Sequence, residues 1–361
     1  MQNKVINVFY HGDKVGRVAQ TAEGLCAFEY DADWLVKGFS ISPFKLPLEK
    51  KVFVANPEPF GGNFGVFDDS LPDGWGRLLI DRLLIKKHIN PSKVPVLDRL
   101  AIVGNSGMGA LEYKPEEILT DDTQIDTIEV LAQEAEKILN EQYDGKLEEL
   151  ARMGGSSGGA RPKVLIKIDG VDWIIKFKAG MDPADIGKQE FEYSNIARKA
   201  GLEIPETKLF EGKFFGVRRF DRKPDGQRVF MISAGGLLDA SHRYPALDYN
   251  DLMNLTLELT RNFSEVEKMF RLMCFNVFAH NRDDHAKNFS FLFENGKWRV
   301  SPAYDLVYSD GLRGEHATTI DGEGLNPSQE NILNVARKTG LDLKSAKKIT
   351  EEVKNAVAEY K

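Results

Sequence analysis

The chain has 361 residues, of which 42% are hydrophobic and 29% charged, an ordinary globular composition with room for two or three cores. A formal net charge of −7 and a pI near 5.6 argue against strong direct binding to nucleic acid, which needs a basic face to displace counterions. Two cysteines, Cys26 and Cys274, form neither a metal site by themselves nor a disulfide framework. With no signal-peptide pattern and no membrane-length apolar run, a cytoplasmic location is expected.

Residues 4–10 and 14–18 read as a hairpin around Gly12-Asp13, opening an N-terminal unit of short apolar strands. Phe67-Asp-Asp-Ser-Leu-Pro-Asp-Gly-Trp-Gly-Arg77 leads into a helix near 78–84, with Ser70 or Asp73 as cap and Trp75 as core anchor. Packing accounts for that segment without chemistry. The polar, acidic stretch 114–127 is the best candidate boundary. A helical run near 127–152 then reaches Met153-Gly-Gly-Ser-Ser-Gly-Gly-Ala-Arg-Pro-Lys163. Strands Val164–Ile168 and Val171–Phe177 follow, turning at Asp169-Gly170. The spacing predicts a helix over 185–200, ended by Gly201, with Tyr193, Ile196, Ala197 and Ala200 on its buried side. Lys208–Phe210 and Phe214–Arg218 flank the turn Glu211-Gly212. From about 250 the pattern is helical, and Ser264-Glu-Val-Glu267 reads as a capping box. The helix it opens carries the stripe Val266, Met269, Phe270, Met273, Cys274, Val277, Phe278, so Cys274 belongs to the core.

That helix delivers the chain to Asn281-Arg-Asp-Asp-His-Ala-Lys-Asn288. Asp283 with Asn288 five residues on, then Asp305 beyond a short hairpin, is the residue set of ATP-dependent phosphoryl transfer. Asp283 would take or orient the proton of the attacking hydroxyl, while Asn288 and Asp305 would hold Mg²⁺ on the phosphates. Asn295-Gly296 is a strong hairpin signal between 289–293 and 297–301, and the fold-back should set Asn288 beside Asp305. The glycine loop 154–159 has no Walker pattern, yet Gly155, Ser156, Ser157, Gly158 and Gly159 can bring backbone N–H groups to an anion; a flexible linker has the same composition. Lys176 is charged in an apolar strand, and reads either as an edge-strand lysine or as a phosphate ligand held by a helix glutamate. Glu192 is the first choice for that glutamate and Glu190 the reserve. Phe220-Asp221 occupies the connection between a strand-rich and a helical lobe. His285, the one histidine inside the octet, reads first as a hydrogen-bonded structural residue, with metal ligation as the other option. Lys287 either reaches the transferred phosphate or faces solvent.

These segments, together with Arg219-Phe-Asp-Arg222, Phe289-Ser290 and Pro302-Ala-Tyr-Asp305, resemble the HipA family of bacterial serine/threonine kinases, the toxins of type II toxin–antitoxin pairs. The likeness runs in order from near residue 5 to the C-terminal helix. It implies an α+β, bilobal, protein-kinase-like fold: an N-terminal subdomain over 1–115, a strand-rich ATP-binding lobe over 120–225 and a mostly helical catalytic lobe over 226–361. It implies Asp283 as catalytic base, Asn288 and Asp305 as Mg²⁺ ligands and Lys176 on the ATP phosphates. Adenine would lie against the backbone at Arg218 and Phe220, with Asp221 near the ribose. Alignment on Lys163 points to Ser156 as an autophosphorylation site, with Ser157 the alternative. The implied partners are a HipB-like helix-turn-helix antitoxin, through which DNA is reached only indirectly, and a protein substrate of the aminoacyl-tRNA synthetase kind; no membrane partner is implied. Three residues depart from expectation. His285 stands where protein kinases place a lysine, Asp305 lies in Tyr-Asp-Leu and not Asp-Phe-Gly, and Arg218 replaces an expected acidic residue. A small-molecule kinase, or a catalytically silent co-repressor acting with a helix-turn-helix partner, are the competing readings.

Overall fold

The computed structural model describes residues 4–120, 126–142 and 146–360. Part of the expected boundary, residues 121–125, lies outside them. The chain packs as two compact units. One is Met1–Lys188 with Lys208–Phe230, the other Gln189–Thr207 with Met231–Lys361.

In the first unit, strands β1 (Val5–Tyr10), β2 (Asp13–Gln20), β3 (Cys26–Tyr30), β4 (Val52–Val54) and β5 (Leu111–Lys114) form a sheet in the order β4-β3-β2-β1-β5. The first hairpin turns at His11-Gly12, one residue earlier than expected, with Tyr10 paired to Asp13. Short helices α1 (Ala32–Lys37) and α2 (Gly65–Asp68) precede α3 (Gly74–Lys86) and α4 (Val96–Val103). The predicted helical run is two helices, α5 (Ile128–Leu139) and α6 (Leu147–Gly154). A second sheet contains β6 (Lys163–Ile168), β7 (Val171–Lys176), β8 (Thr207–Phe210) and β9 (Phe214–Arg218) in the order β6-β7-β9-β8. Its turns Asp169-Gly170 and Glu211-Gly212 each take positive φ at both residues, which suits the two glycines and Asp169 and leaves Glu211 in a conformation its side chain does not favour.

One apolar core joins α3 (Trp75, Leu79, Leu83), α5 (Leu131, Ala135, Ile138) and α6 (Leu150, Met153) to the inner face of the second sheet (Val164, Trp173, Ile175). Helix α3 follows the N-terminal strands in sequence but buries its stripe against α6. The two regions therefore share a core, which unites them in one compact unit.

The division between units falls inside α7 (Ile186–Lys199), which ends before Gly201 at φ +79°. The second unit also holds β10 (Phe230–Ser233) from Met231 onward, α8 (Ala234–Leu238), β11 (Leu247–Asp248), α9 (Tyr249–Thr260), α10 (Phe263–Phe278), β12 (Ser290–Glu294), β13 (Lys297–Val300), β14 (Thr318–Thr319), α11 (Gln329–Thr339) and α12 (Leu343–Ala358). Helix α10 is capped by Asn262, whose side chain accepts from Ser264 N, and not by the expected Ser264 box; Glu265 is used elsewhere, accepting from Val300 N at 2.7 Å. Val266, Met269, Phe270, Met273 and Cys274 are fully buried as the stripe requires, whereas Val277 and Phe278 are half-buried and Phe275 is buried in their place. Among the described residues no helix is long and apolar enough to cross a membrane.

Candidate active site

The first unit carries the glycine loop and the lysines. Helix α6 ends at Gly154, and Gly155 caps it by donating its N–H to Ala151 O at 2.8 Å. A helix C-terminus repels anions, so positive charge for a phosphate must come from side chains. Lys163 and Lys176 are positioned to supply it, because they stand directly opposite across β6–β7 and so project to one face. Lys163, which the sequence reading placed just outside its strand, is buried and donates Nζ to Gly158 O. Lys176 is half-buried, with Nζ 5.5 Å from the Phe215 ring centroid. By strand alternation Leu165, Ile174 and Val217 share that face and are only half-buried, leaving an apolar strip next to the lysines. The alternation was readable in the sequence, but the face was not.

Ser156 is 6% exposed and donates Oγ to Ser106 O at 2.9 Å; Ser157 is 2% exposed and donates to Gly154 O at 2.5 Å. Arg218 and Phe220 are half-buried at the end of β9. Asp221 is buried, and its oxygens accept from Arg219 Nε (2.9 Å) and Nη2 (2.7 Å), Arg222 Nη1 (2.9 Å) and Gly109 N (2.8 Å). Burial alone would push this carboxyl up, but the Arg219 and Arg222 guanidinium groups and the Gly109 N–H outweigh it and hold the pKa at about 2. A ribose hydroxyl would have to share oxygens already held by this cluster, so the role the geometry gives Asp221 is that of an anchor.

Helix α7 separates the two candidate glutamates by burial. Its buried stripe runs Ile186, Glu190, Ser194, Ala197; Glu190 is 3% exposed, whereas Glu192 faces solvent. Glu190 is therefore the glutamate on the buried side.

The second unit carries the acidic octet. Asp283 is exposed, with its carboxylate at the surface of the unit. Asn288 donates Nδ2 to Asp283 O at 2.7 Å, a bond that uses the amide nitrogen and not the amide oxygen. The hairpin closes with Ser301 N donating to Ser290 O at 2.9 Å, around a turn in which Asn295 and Gly296 have φ +51° and +75°. Tyr304 OH then bonds Lys287 O at 2.5 Å and Ser290 Oγ at 2.6 Å, so the residues flanking Asn288 and Asp305 are tied together. Asp305 takes φ +52°, a left-handed conformation that aspartate tolerates better than most residues. Two oxygen-bearing side chains on one local unit fit Mg²⁺, which keeps several waters and completes its shell with phosphates. His285 is half-buried and has a second histidine nearby: His242 lies 5.7 Å away between ring centroids, and His285 Nδ1 has no hydrogen-bond partner among the described residues. Lys287 is half-buried.

Asp284, which the sequence reading passed over, is fully buried. Its Oδ2 accepts from Tyr249 OH (3.0 Å) and His316 Nδ1 (2.9 Å), and its Oδ1 from Ala317 N (2.8 Å) and Thr318 N (3.2 Å). Burial drives the Tyr249 hydroxyl well above its ordinary pKa, so it remains a donor. Tyr249 OH in turn accepts from Asn276, whose Oδ1 accepts from Asn281 Nδ2, each at 2.9 Å. The octet is thus pinned from α9, α10 and the 316–318 segment. Asp284→Ala strands several buried donors at once, and should lower the unfolding free energy of the second unit by about 3–5 kcal/mol in urea titration. A loss below about 1 kcal/mol would mean the network is dispensable.

Residues 6–114 match the HipA N-terminal domain model and residues 155–360 the HipA-like C-terminal domain model. The serine/threonine-protein kinase toxin HipA of Shewanella oneidensis is 24% identical over 339 residues, 82% of this chain and 74% of that protein. A putative kinase of Sinorhizobium fredii is 27% identical over 343 residues, 85% of this chain and 78% of that one. Among solved structures, the Shewanella oneidensis complex of HipA, HipB and operator DNA matches with TM-score 0.74 and 21% identity, over 98% of this chain and 90% of the matched one. The fold is thus of the protein-kinase-like α+β class. The chain belongs to the HipA family.

Proposed function

We propose that this protein is an ATP- and Mg²⁺-dependent serine/threonine kinase that phosphorylates a cytoplasmic protein and itself, acting as the toxin of a toxin–antitoxin pair. The observation that carries the reading is the octet: Asp283 open to solvent, Asn288 locked on its backbone and Asp305 tied in by Tyr304. Asp283 takes the proton of the attacking hydroxyl, and Asn288 and Asp305 hold the metal. Lys176, braced loop backbone and Lys163 hold the phosphates, with adenine at the Arg218–Phe220 backbone. ATP supplies the phosphoryl group, and Mg²⁺ neutralises charge on it. We assign residues 1–115, 120–225 and 226–361 to a family-specific subdomain, nucleotide binding and catalysis. Because the matched Shewanella structure contains HipB and operator DNA, the partner is a HipB-like antitoxin and DNA is reached through it. An aminoacyl-tRNA synthetase is the substrate class to test first.

Transfer of ³²P from ATP to the protein, wild type against Asp283→Ala, tests the reading; equal labelling would refute it and favour a silent co-repressor. Ser156 is the expected acceptor. Its burial and its bond to Ser106 O leave no room for a group carrying about −1.5 to −2 charges, so a phosphorylated loop must leave its closed position and ATP affinity must fall. Intact-mass measurement with Mg²⁺-ATP should show one added phosphate in wild type and none in Asp283→Ala. Phosphate mapped outside 154–159 would remove this assignment.

A further inference from the structure

The Phe67–Arg77 segment is left without a task by the reading above, although it packs on the glycine loop. Asp73 stands at the N-cap of α3 yet makes no side-chain cap bond there. It accepts instead from Gly159 N, 86 residues away. Trp75 N donates to Gly159 O at 2.9 Å, and Trp75 Nε1 donates to Lys163 O at 3.0 Å. The two glycines around Trp75 are there because loop backbone occupies the space side chains would need. A Cβ on Gly74 would meet Gly159 O and Ala160 Cα, and one on Gly76 would lie 2.5 Å from Ser157 O. On the other side, Ser106 O receives Ser156 Oγ at 2.9 Å. Ser106 is itself on a stiffened turn, since Arg222 and Arg228 donate to Gly107 O and Gly109 O, and Arg228 also to Asn105 O.

We propose that Asp73–Gly76 and the Ser106 turn form a seat that holds the glycine loop closed. The N-terminal region thereby sets how firmly the loop grips nucleotide and how readily Ser156 is presented, without itself touching ATP. These are positioning residues: they act through the loop. The inference rests on the kinase reading for its ATP consequence, but the seat itself is a property of the free protein and can be measured there.

The test is hydrogen exchange of the 154–160 amides in the nucleotide-free full chain, together with calorimetric ATP affinity in Mg²⁺. Gly76→Ala adds one methyl group at a helical position that favours alanine, so it disturbs the contact and not the helix. It should speed exchange of these amides by about tenfold or more and weaken ATP by a similar factor. Asp73→Ala should do the same, while Asp73→Asn, which keeps an acceptor oxygen for Gly159 N, should stay near wild type. Ile85→Ala, on an exposed position of the same helix, is the control. Wild-type exchange in folded Gly76→Ala or Asp73→Ala overturns the seat, as does equal exchange in Asp73→Ala and Asp73→Asn. Faster exchange with unchanged ATP affinity overturns its regulatory role. If wild type fails to bind ATP, the kinase reading falls, and the exchange data still decide the seat.

Discussion

Asp283→Asn should reduce turnover by about 10²–10⁴-fold, the range general-base catalysis supplies. The substitution keeps size and most hydrogen bonding but removes the negative charge proposed to accept the proton. Nucleotide affinity should change by less than about threefold, because a base acts on the hydroxyl in the transition state and not on bound ATP. The backbone carbonyl that holds Asn288 belongs to residue 283 and survives the change, so the proposed metal ligand is undisturbed. Pre-steady-state labelling gives turnover and titration calorimetry gives affinity. Reduced affinity with wild-type turnover would reassign Asp283 as a binding residue.

Asp305→Asn is the second large effect. An amide oxygen in place of a carboxylate leaves a hard divalent cation without its charged ligand on this unit. Loss of such transition-state stabilisation is worth about 10²–10³ in rate, and the Mg²⁺ concentration for half-maximal activity should rise. This dependence distinguishes Asp305 from Asp283, whose loss raised Mg²⁺ cannot remedy. Asparagine also tolerates the left-handed backbone at this position, so folding should not obscure the result. Wild-type turnover at limiting Mg²⁺ would remove Asp305 from the metal site.

What could be read in the sequence was local. Asp169-Gly170, Glu211-Gly212 and Asn295-Gly296 announce their hairpins because both turn residues need positive φ, a demand met within two residues. The apolar stripe of α10 and the burial of Cys274 follow from helical period alone. The octet stands out because Asp283 and Asn288 lie five residues apart and the hairpin returns the chain toward them. The choice between Glu190 and Glu192 was harder, since helix phase at a margin turns on which neighbour covers it. Only the tertiary structure decided the rest, because the partners are far apart in the chain. Asp284 reaches His316 across 32 residues, Asp221 takes the Gly109 N–H across 112, and Asp73 holds Gly159 across 86. No periodicity encodes such bonds; a buried polar group finds whichever complementary group the packed core brings to it, and an aspartate in a loop looks the same in sequence whether it caps, anchors or catalyses.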